Sequence, residues 1–555
     1  MTVSRNQIFI IIIEFVLTIL CGYFLGKLFV VSLDPLPLSD FHVYYYIPKA
    51  VLTLARPEHP YTNFVPIYPF FYPPGSLFLF YPFLGFPFYI AKILWTVINA
   101  SLLLYSAYLI NALLAKRNRI TFFLLVLSAV KFLPVKFTMI DGQFNLILLF
   151  IYTYGLHALI NHKNVKGGIL LGIGCISKIS PLLIAFYAFY NRRYKIILVT
   201  IFTILFFVTL AEIFIQRGIN FYYLRYVLYH VSSQANSPSW RDQSLLGLIK
   251  RFEISEQIQI LKFQIAQSHI RSMISYSIIG LIIASFGYLN FKIRKSMLDI
   301  YVSYFILTIV AFIGTGLTWF HQYTILLLPL WGLFLISLFW IKGKIGYLFV
   351  AFSIGVYFLC NLYLESVKNV FLQMNMFYSG VLLLVILIIL KIKSGLILNK
   401  AKDLKIFENL KAKLPNRILL MIFALIFIFS LSPFTLSEIM KEHRDKARVS
   451  NVNFMAEILI NKTPEFEVGS SNSYLQTEKL DEGYILFQKN EENKVRKYMS
   501  ILYLDPINNE TYNYAFESDG DNFVLSAKLE SKKYIKDLGE NFMYKSSEKK
   551  RTWEN

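Results

Sequence analysis

The chain has 555 residues, of which 56% are hydrophobic, with a formal net charge of +21 and a mean hydropathy of +0.52. Soluble domains are far less apolar, and apolar runs long enough to cross about 30 Å of hydrocarbon recur along the sequence. The basic residues lie mostly in short loops between these runs, whereas 21 of the 34 acidic residues fall in 434–555. This distribution argues against a nucleic-acid-binding surface. The composition predicts an all-α polytopic membrane protein.

The N-terminal apolar run, residues 8–31, predicts a first membrane helix that is retained. It is too long for the core of a signal peptide and lacks a small-residue cleavage site. Arg5 precedes it, so the positive-inside rule places the N-terminus in the cytoplasm and the end of the helix outside. Residues 32–87 then form a first external loop. Within it, 42–56 and the proline-flanked 72–87 predict interfacial or re-entrant segments.

The next apolar runs, 88–114, 120–137 and 144–161, predict three membrane helices whose basic loops are cytoplasmic. The stretch "GGILLGIGCISKISPLLIAFYAFYNRRYK" that follows has two readings. A single span would place the basic "NRRYK" outside, whereas two half-helices that meet at Lys178–Pro181 would return it to the cytoplasm. The proline and the lone lysine favour the hairpin.

The remaining membrane part predicts a helix at 195–216 and a long external loop at 217–272. Further helices are predicted at roughly 273–291, 298–317, 323–341, 344–363, 377–394 and 417–433. In total the sequence predicts 11 to 13 transmembrane segments. The three cysteines all lie in apolar runs, so no disulfide framework is expected.

Two domains are predicted, a membrane domain over 1–433 and an extracytoplasmic domain over 434–555. The second has soluble composition. It alternates apolar and polar residues in "EGYILFQK" and "NFVLSAKL", which is typical of strands. We therefore expect a small α/β or mostly β domain.

This topology gathers polar side chains on the outer face, although only charge and length were used to build it. Ionisable groups at membrane depth are costly and usually functional. Cations near an acid and aromatic rings suit an anionic, lipid-borne substrate. The candidate residues are Asp40, Tyr44, Tyr45, Asp141, Gln143, Lys178, Trp240, Arg241, Gln243 and His321.

Several of these residues also have structural readings. Asp40 could be an ordinary loop acid, and Asp141 could favour the start of the following helix. Lys178 could extend along the helix to the interface, and His321, beside Trp319, could belong to an interfacial aromatic belt.

Several stretches, in order, resemble glycosyltransferase family 87 of the GT-C superfamily. They are "SDFHVYYYIPKA", "FFYPPGSLFLFYPFLGFP", "LWTVINASLLL", "DGQFNLILLFIY", "GGILLGIGCISKISPLLI", "RDQSLLGLI" and "FHQYTILLLPLW", and the resemblance covers roughly residues 8–340. The resemblance implies a GT-C fold in the cell membrane. It also implies transfer of a sugar, typically mannose, from a polyprenyl-phosphate carrier on the extracytoplasmic side to a glycolipid or glycan.

The resemblance further implies an acidic residue near the reacting centre, which maps onto Asp40, and a histidine at the position of His321. Inverting transfer from phosphate to an alcohol needs one base, and Asp40 is the candidate. Phosphate is already a good leaving group and needs only charge stabilisation, for which Lys178, Arg241 and His321 are candidates. His321 could instead share the proton transfer. Binding roles are expected for Tyr44, Tyr45, Asp141, Gln143, Trp240 and Gln243.

No D-x-D motif lies in the first external loop, and no His/Cys cluster has metal-ligand spacing. We therefore expect a metal-independent reaction with no cofactor besides the lipid-linked co-substrate. A transporter or flippase for a lipid-linked glycan remains an alternative, although it should show inverted repeats and polar groups at mid-membrane. A polysaccharide polymerase or ligase is the other.

Overall fold

The structure is a computed structural model, and its contacts divide the chain into two units. One comprises Met1–Leu33 and Asp40–Ile426, the other Asp34–Ser39 and Phe427–Asn555. The residues that the structure describes are 5–33, 40–53, 60–61, 70–227, 241–254, 277–285, 287, 296–314, 318–341, 343–364, 369, 371–397, 441, 444–445, 448–449, 452–453, 456, 478–479, 485–486, 514–518 and 523–545. Trp240, most of the predicted helix at 273–291 and the predicted helix at 417–433 lie outside them.

The first unit is built from α-helices, as its composition predicted. In chain order they are α1 (Arg5–Ser32), α2 (Asp40–Thr53), α3 (Leu77–Phe80), α4 (Phe88–Leu114), α5 (Arg119–Lys131), α6 (Leu133–Ile140), α7 (Asn145–Asn161), α8 (Asn164–Ser177), α9 (Leu182–Tyr190), α10 (Tyr194–Phe214), α11 (Ile219–Tyr222), α12 (Leu245–Ile254), α13 (Met297–Ile313), α14 (Leu327–Phe339), α15 (Lys344–Cys360) and α16 (Asn375–Ile397).

Among the described residues, five helical stretches are long and apolar enough to cross a membrane. A bent pair makes a sixth, and four shorter apolar helices accompany them. The chain is therefore an all-α polytopic membrane protein. The five stretches are Ile10–Ser32, Phe88–Leu114, Tyr194–Phe214, Phe320–Phe339 and Leu372–Ile392.

The bent pair is α5 and α6, which meet at 64° where the sequence predicted one helix at 120–137. Phe132 between them has extended backbone, and Pro134 occupies the first turn of α6. A proline has no backbone N–H, so Pro134 cannot continue the hydrogen bonding of α5. The bend sets the direction of α6, which ends at Ile140, directly before the turn at Asp141 and Gly142.

The hairpin predicted at Lys178–Pro181 is confirmed. Helix α8 ends at Ser177 and α9 begins at Leu182. Helices α8 and α10 run parallel, because a Cβ at Gly168 would meet Val199 and a Cβ at Gly172 would meet Thr203. Helix α9, which joins them, must therefore run back.

The two basic loops beside this hairpin lie together. The Arg193 guanidinium contacts both ring nitrogens of His162, at 2.6 and 3.0 Å. "NRRYK" therefore lies on the same face as "NHKNVK", which excludes the single span.

The first external loop holds short helical segments. Helix α2 packs on residues 70–77 through an apolar cluster that includes Val43, Ile47 and Leu77. Helix α3 is flanked by 3-10 turns at Pro74–Ser76 and Tyr81–Phe83. None of these segments is long enough to span a bilayer, as predicted for 42–56 and 72–87.

A backbone pairing joins the long external loop to the chain before α14. The Gln243 N–H donates to Thr318 O at 2.7 Å, and the Phe320 N–H donates to Arg241 O at 2.9 Å. A 3-10 helix, Phe320–Leu326, leads into α14. The pairing fixes Arg241 next to His321, although 80 residues separate them.

The described part of the second unit contains strands in both stretches predicted to form them. They are β1 (Glu478–Lys479), β2 (Ile485–Leu486), β3 (Tyr514–Ser518), β4 (Phe523–Lys528) and β5 (Asn541–Lys545), with α17 (Lys532–Leu538) before β5. Strands β3, β4 and β5 form an antiparallel sheet, and β1 pairs with β2.

Candidate active site

Two carboxylates, Asp40 and Asp141, meet at one end of the helical bundle. Asp40 is the first residue of α2, and Asp141 follows α6. The Phe41 N–H donates to Asp141 O at 3.2 Å. The side-chain amide of Gln143 donates to the Asp40 carboxylate. One backbone and one side-chain hydrogen bond thus hold the start of α2 against the turn 141–143.

Gly142 makes this close approach possible. Its φ is +67°, and a Cβ there would lie 2.7 Å from Phe41 Cβ. Its carbonyl accepts a 2.8 Å hydrogen bond from the Trp95 indole N–H. A side chain at this position would therefore push α2 away from Asp141.

Tyr44 orients the amide that contacts Asp40. Its hydroxyl donates to Gln143 Oε1 at 3.1 Å and lies 2.5 Å from the Tyr72 hydroxyl. Its ring stacks on Phe80 at 4.6 Å. With its oxygen engaged by Tyr44, Gln143 presents its NH₂ group to Asp40, so a tyrosine–glutamine–aspartate chain fixes the carboxylate.

Three cations surround the two carboxylates. Burial raises the pKa of both acids; Lys178 and Arg241 offset part of this rise at Asp40, and Arg241 and Lys92 offset part of it at Asp141, which places the three cations within electrostatic reach. Lys178 Nζ also donates to Asn145 Oδ1 at 2.9 Å. These groups come from α4, the α8–α9 hairpin, α7 and the long external loop.

His321 lies against the same pair. Its Nδ1 is 4.0 Å from Asp141 Oδ2, its side chain is 8% exposed, and Nδ1 has no hydrogen-bond partner among the described residues. Thr138 donates to the His321 carbonyl at 3.0 Å, which anchors its backbone to α6. The ring nitrogen Nδ1 therefore lies buried beside the Asp141 carboxylate.

The carboxylates have raised proton affinities. Burial first, and then the neighbouring charge of Asp141, raise the pKa of Asp40 above its ordinary value, and Lys178 and Arg241 offset only part of this. Burial also raises the pKa of Asp141. A carboxylate that binds a proton more tightly is a stronger base near neutral pH.

Other predicted residues make packing contacts. The Tyr45 hydroxyl donates to Phe86 O at 2.7 Å, in the first external loop. The Gln243 amide donates to Gln373 O at 2.7 Å and accepts from the Phe377 N–H at 3.3 Å. Both amide ends of Gln243 thus join the external loop to the start of α16.

Sequence reasoning missed three residues here, namely Lys92, Asn145 and Tyr72. Lys92 is 2% exposed inside the apolar run of α4. A lone lysine in an apolar run signals function and could have identified it. Asn145 was visible in "DGQFN", but its contact with Lys178 spans 33 residues. No local pattern marks Tyr72, because its role depends on the fold around Tyr44.

The chemistry of the site suits an anion. Among the residues that the structure describes, no group of three or more His, Cys, Asp and Glu side chains could hold a metal ion. Lys92, Lys178 and Arg241 would repel a divalent cation and attract a phosphate. Metal independence itself stays a prediction.

Gly142→Ala should destabilise the protein more than a glycine substitution with only backbone strain. The substitution would place a side chain at a positive φ and against Phe41. We therefore expect the free energy of unfolding to fall by about 2 kcal/mol or more. Gly218→Ala is the matched control, because Gly218 has φ +82° and open space around it. Thermal unfolding in detergent measures both. Equal shifts in the two variants would contradict the proposed close approach.

Comparison with known proteins relates most of this site to one family. A search of curated proteins found no match. Residues 70–260 match the model of glycosyltransferase family 87. The matched region contains Asp141, Gln143, Lys178 and Arg241, whereas Asp40 and His321 lie outside it and reach the site through the fold. The match shows that residues 70–260 are similar to glycosyltransferase family 87, which indicates a membrane glycosyltransferase.

Proposed function

We propose that the chain transfers a hexose, most simply mannose, from a polyprenyl-phosphate sugar to a glycolipid or glycan acceptor, with inversion. The observation that supports this most is the partly buried Asp40 carboxylate, which lies within electrostatic reach of Lys178 and Arg241, two cations of the region that matches family 87. A base and a phosphate-binding pair are the two elements that such a transfer needs.

In the proposed reaction, Asp40 takes the proton of the acceptor hydroxyl as its oxygen attacks the anomeric carbon. The bond from that carbon to the phosphate oxygen breaks, and its electron pair leaves with the polyprenyl phosphate. Gln143 and Tyr44 hold the carboxylate in place. Inversion follows because the acceptor attacks from the face opposite the phosphate.

Lys178 and Arg241 would stabilise the charge that develops on the leaving phosphate. Arginine can make a forked contact with phosphate oxygens, and lysine acts as a point charge. Asn145 orients Lys178 through the 2.9 Å contact. His321 would donate a hydrogen bond or pass a proton, since its Nδ1 faces Asp141 at 4.0 Å.

The site is proposed to face the extracytoplasmic side of the cell membrane. It lies at the C-terminal end of α6, and the basic loop 115–119 lies at the other end of the α5–α6 pair. The positive-inside rule assigns the basic end to the cytoplasm. No observation favours a lipid-linked glycan transporter or a polymerase over this reading.

Asp40→Asn should abolish transfer while the protein still assembles. Removal of a general base costs typically about 10²- to 10⁴-fold in rate. The assay supplies purified protein in vesicles with a synthetic polyprenyl-phosphate mannose and measures release of polyprenyl phosphate. Asp537→Asn, at an exposed position in α17, is the matched control and should retain wild-type rates. Near-normal release by Asp40→Asn would remove the assignment, and lipid movement without cleavage would indicate a carrier.

The pH dependence of kcat/KM should shift in opposite directions when a neighbouring acid and when a neighbouring cation is removed. Because the folded-state pKa of Asp40 is raised, the ionised base is present above that pKa and is lost as pH falls through it. The acidic limb of kcat/KM should therefore lie above the ordinary carboxyl value of about 4. Asp141→Asn removes a charge that raises this pKa, so the limb should move to lower pH. Lys178→Met should move it to higher pH, and an unmoved limb in both variants would rule out Asp40 as the titrating base.

A further inference from the structure

A cavity lies at the end of the bundle remote from the carboxylates. It has a volume of about 600 Å³ and lies between the N-terminal parts of α1 and α5 and the C-terminal end of α4. Its lining residues are Ile11, Glu14, Phe15, Thr18, Tyr108, Asn111, Arg117, Arg119, Phe122 and Phe123. Helices α5 and α6 separate it from Asp40, so it is distinct from the site described above.

The cavity is amphipathic along its depth. Two arginines stand at its rim, and aromatic and aliphatic side chains form its wall. Ile11 and Phe15 are 59% and 65% exposed, so the wall opens sideways onto the surface that would face acyl chains. A charged rim beside an apolar wall open to the bilayer is complementary to a phospholipid. The headgroup would contact the rim, and an acyl chain would contact the wall.

The rim has a net positive charge. Arg119 is 80% exposed and lies 3.7 Å from the Glu14 carboxylate, which neutralises that acid. Arg117 lies over the Tyr108 ring at 5.8 Å. With two cations against one acid, the lining favours a headgroup whose net charge is negative.

A buried hydrogen-bond network holds the loop between α4 and α5 in shape. Asn111 Nδ2 donates to Asn118 O at 2.9 Å, and the Thr121 hydroxyl donates to Asn111 Oδ1 at 2.6 Å. Lys116 and Arg117 both have positive φ, +50° and +61°, which side chains rarely adopt. The fold thus fixes the backbone at Arg117, which lines the cavity, and this lowers the ordering cost of binding.

We infer that this cavity binds an anionic glycerophospholipid, with its phosphate on Arg117 and Arg119 and an acyl chain along Phe15 and Phe122. The positive-inside rule assigns the end with these bases to the cytoplasmic leaflet, where anionic headgroups accumulate. The inference shares this orientation with the proposed function but needs no transferase activity. Bound lipid would tie α1 to α4 and α5.

The test uses the full-length protein purified in detergent and relieved of endogenous lipid. Phosphatidylglycerol and phosphatidylcholine are titrated separately, and the unfolding temperature and the mass of retained lipid are measured. Phosphatidylglycerol should raise the unfolding temperature, as any ligand of the folded state does, and phosphatidylcholine should not. Arg117→Gln/Arg119→Gln should weaken phosphatidylglycerol binding about tenfold or more, since two charge-assisted contacts are lost.

Two further variants separate this site from general charge and from misfolding. Lys163→Gln/Lys166→Gln removes the same charge from exposed positions of another basic loop and should bind as the wild type does. Ile11→Trp keeps both arginines but fills the exposed mouth, and it should weaken binding while its lipid-free unfolding temperature stays near the wild-type value.

Three results would overturn the inference. Equal responses to the two phospholipids would show that charge recognition is absent. Unchanged phosphatidylglycerol binding in both Arg117→Gln/Arg119→Gln and Ile11→Trp would place the lipid elsewhere. Retention of polyprenyl phosphate in preference to glycerophospholipid would identify a different occupant. None of these results depends on catalysis.

Discussion

The contact between the first turn of α2 and the turn at 141–143 is the constraint on which the site depends. It brings together two acids that lie 101 positions apart in the sequence, joined by the Phe41–Asp141 backbone bond and the Gln143–Asp40 side-chain bond. Like charges at close range are unfavourable, so the pair persists because packing and hydrogen bonds fix it. Gly142 removes the side chain that would otherwise separate them. The bend before α6, beside Pro134, sets the direction of α6 and thereby the position of the turn that follows it.

The cations make this arrangement suitable for one class of substrate. Lys92, Lys178 and Arg241 reach the carboxylates from different elements, so their positions are fixed by the tertiary fold. Two acids and three cations leave a net positive charge before a phosphate enters. A phosphate would then complete the charge balance, and its departure as a free anion would be stabilised where it forms. The described polar groups of this site lie at one end of the bundle, as an enzyme acting at one membrane face requires.

Local rules predicted the membrane class, the half-helix hairpin and the strands of the second unit. Each depends on short-range information such as hydropathy, the proline after Lys178, the charge of "NRRYK" and period-two alternation. The pairing of Arg241 with Phe320 could not be predicted, because it joins segments nearly 80 residues apart. The same holds for Gln243, whose amide contacts Gln373 across 130 residues. Residue type alone cannot tell a substrate ligand from a packing contact. The roles of Tyr44 in holding Gln143, and of Lys92 beside Asp141, depend likewise on tertiary contacts.

The two acids are not equivalent, and the difference favours Asp40 as the base. Asp141 has Arg241, Lys92 and His321 around it, and its charge in turn raises the pKa of Asp40. The charge of Asp141 would compensate these cations, and its field raises the pKa of Asp40 beyond the effect of burial. In the proposed reaction, this difference would assign charge compensation to Asp141 and proton transfer to Asp40.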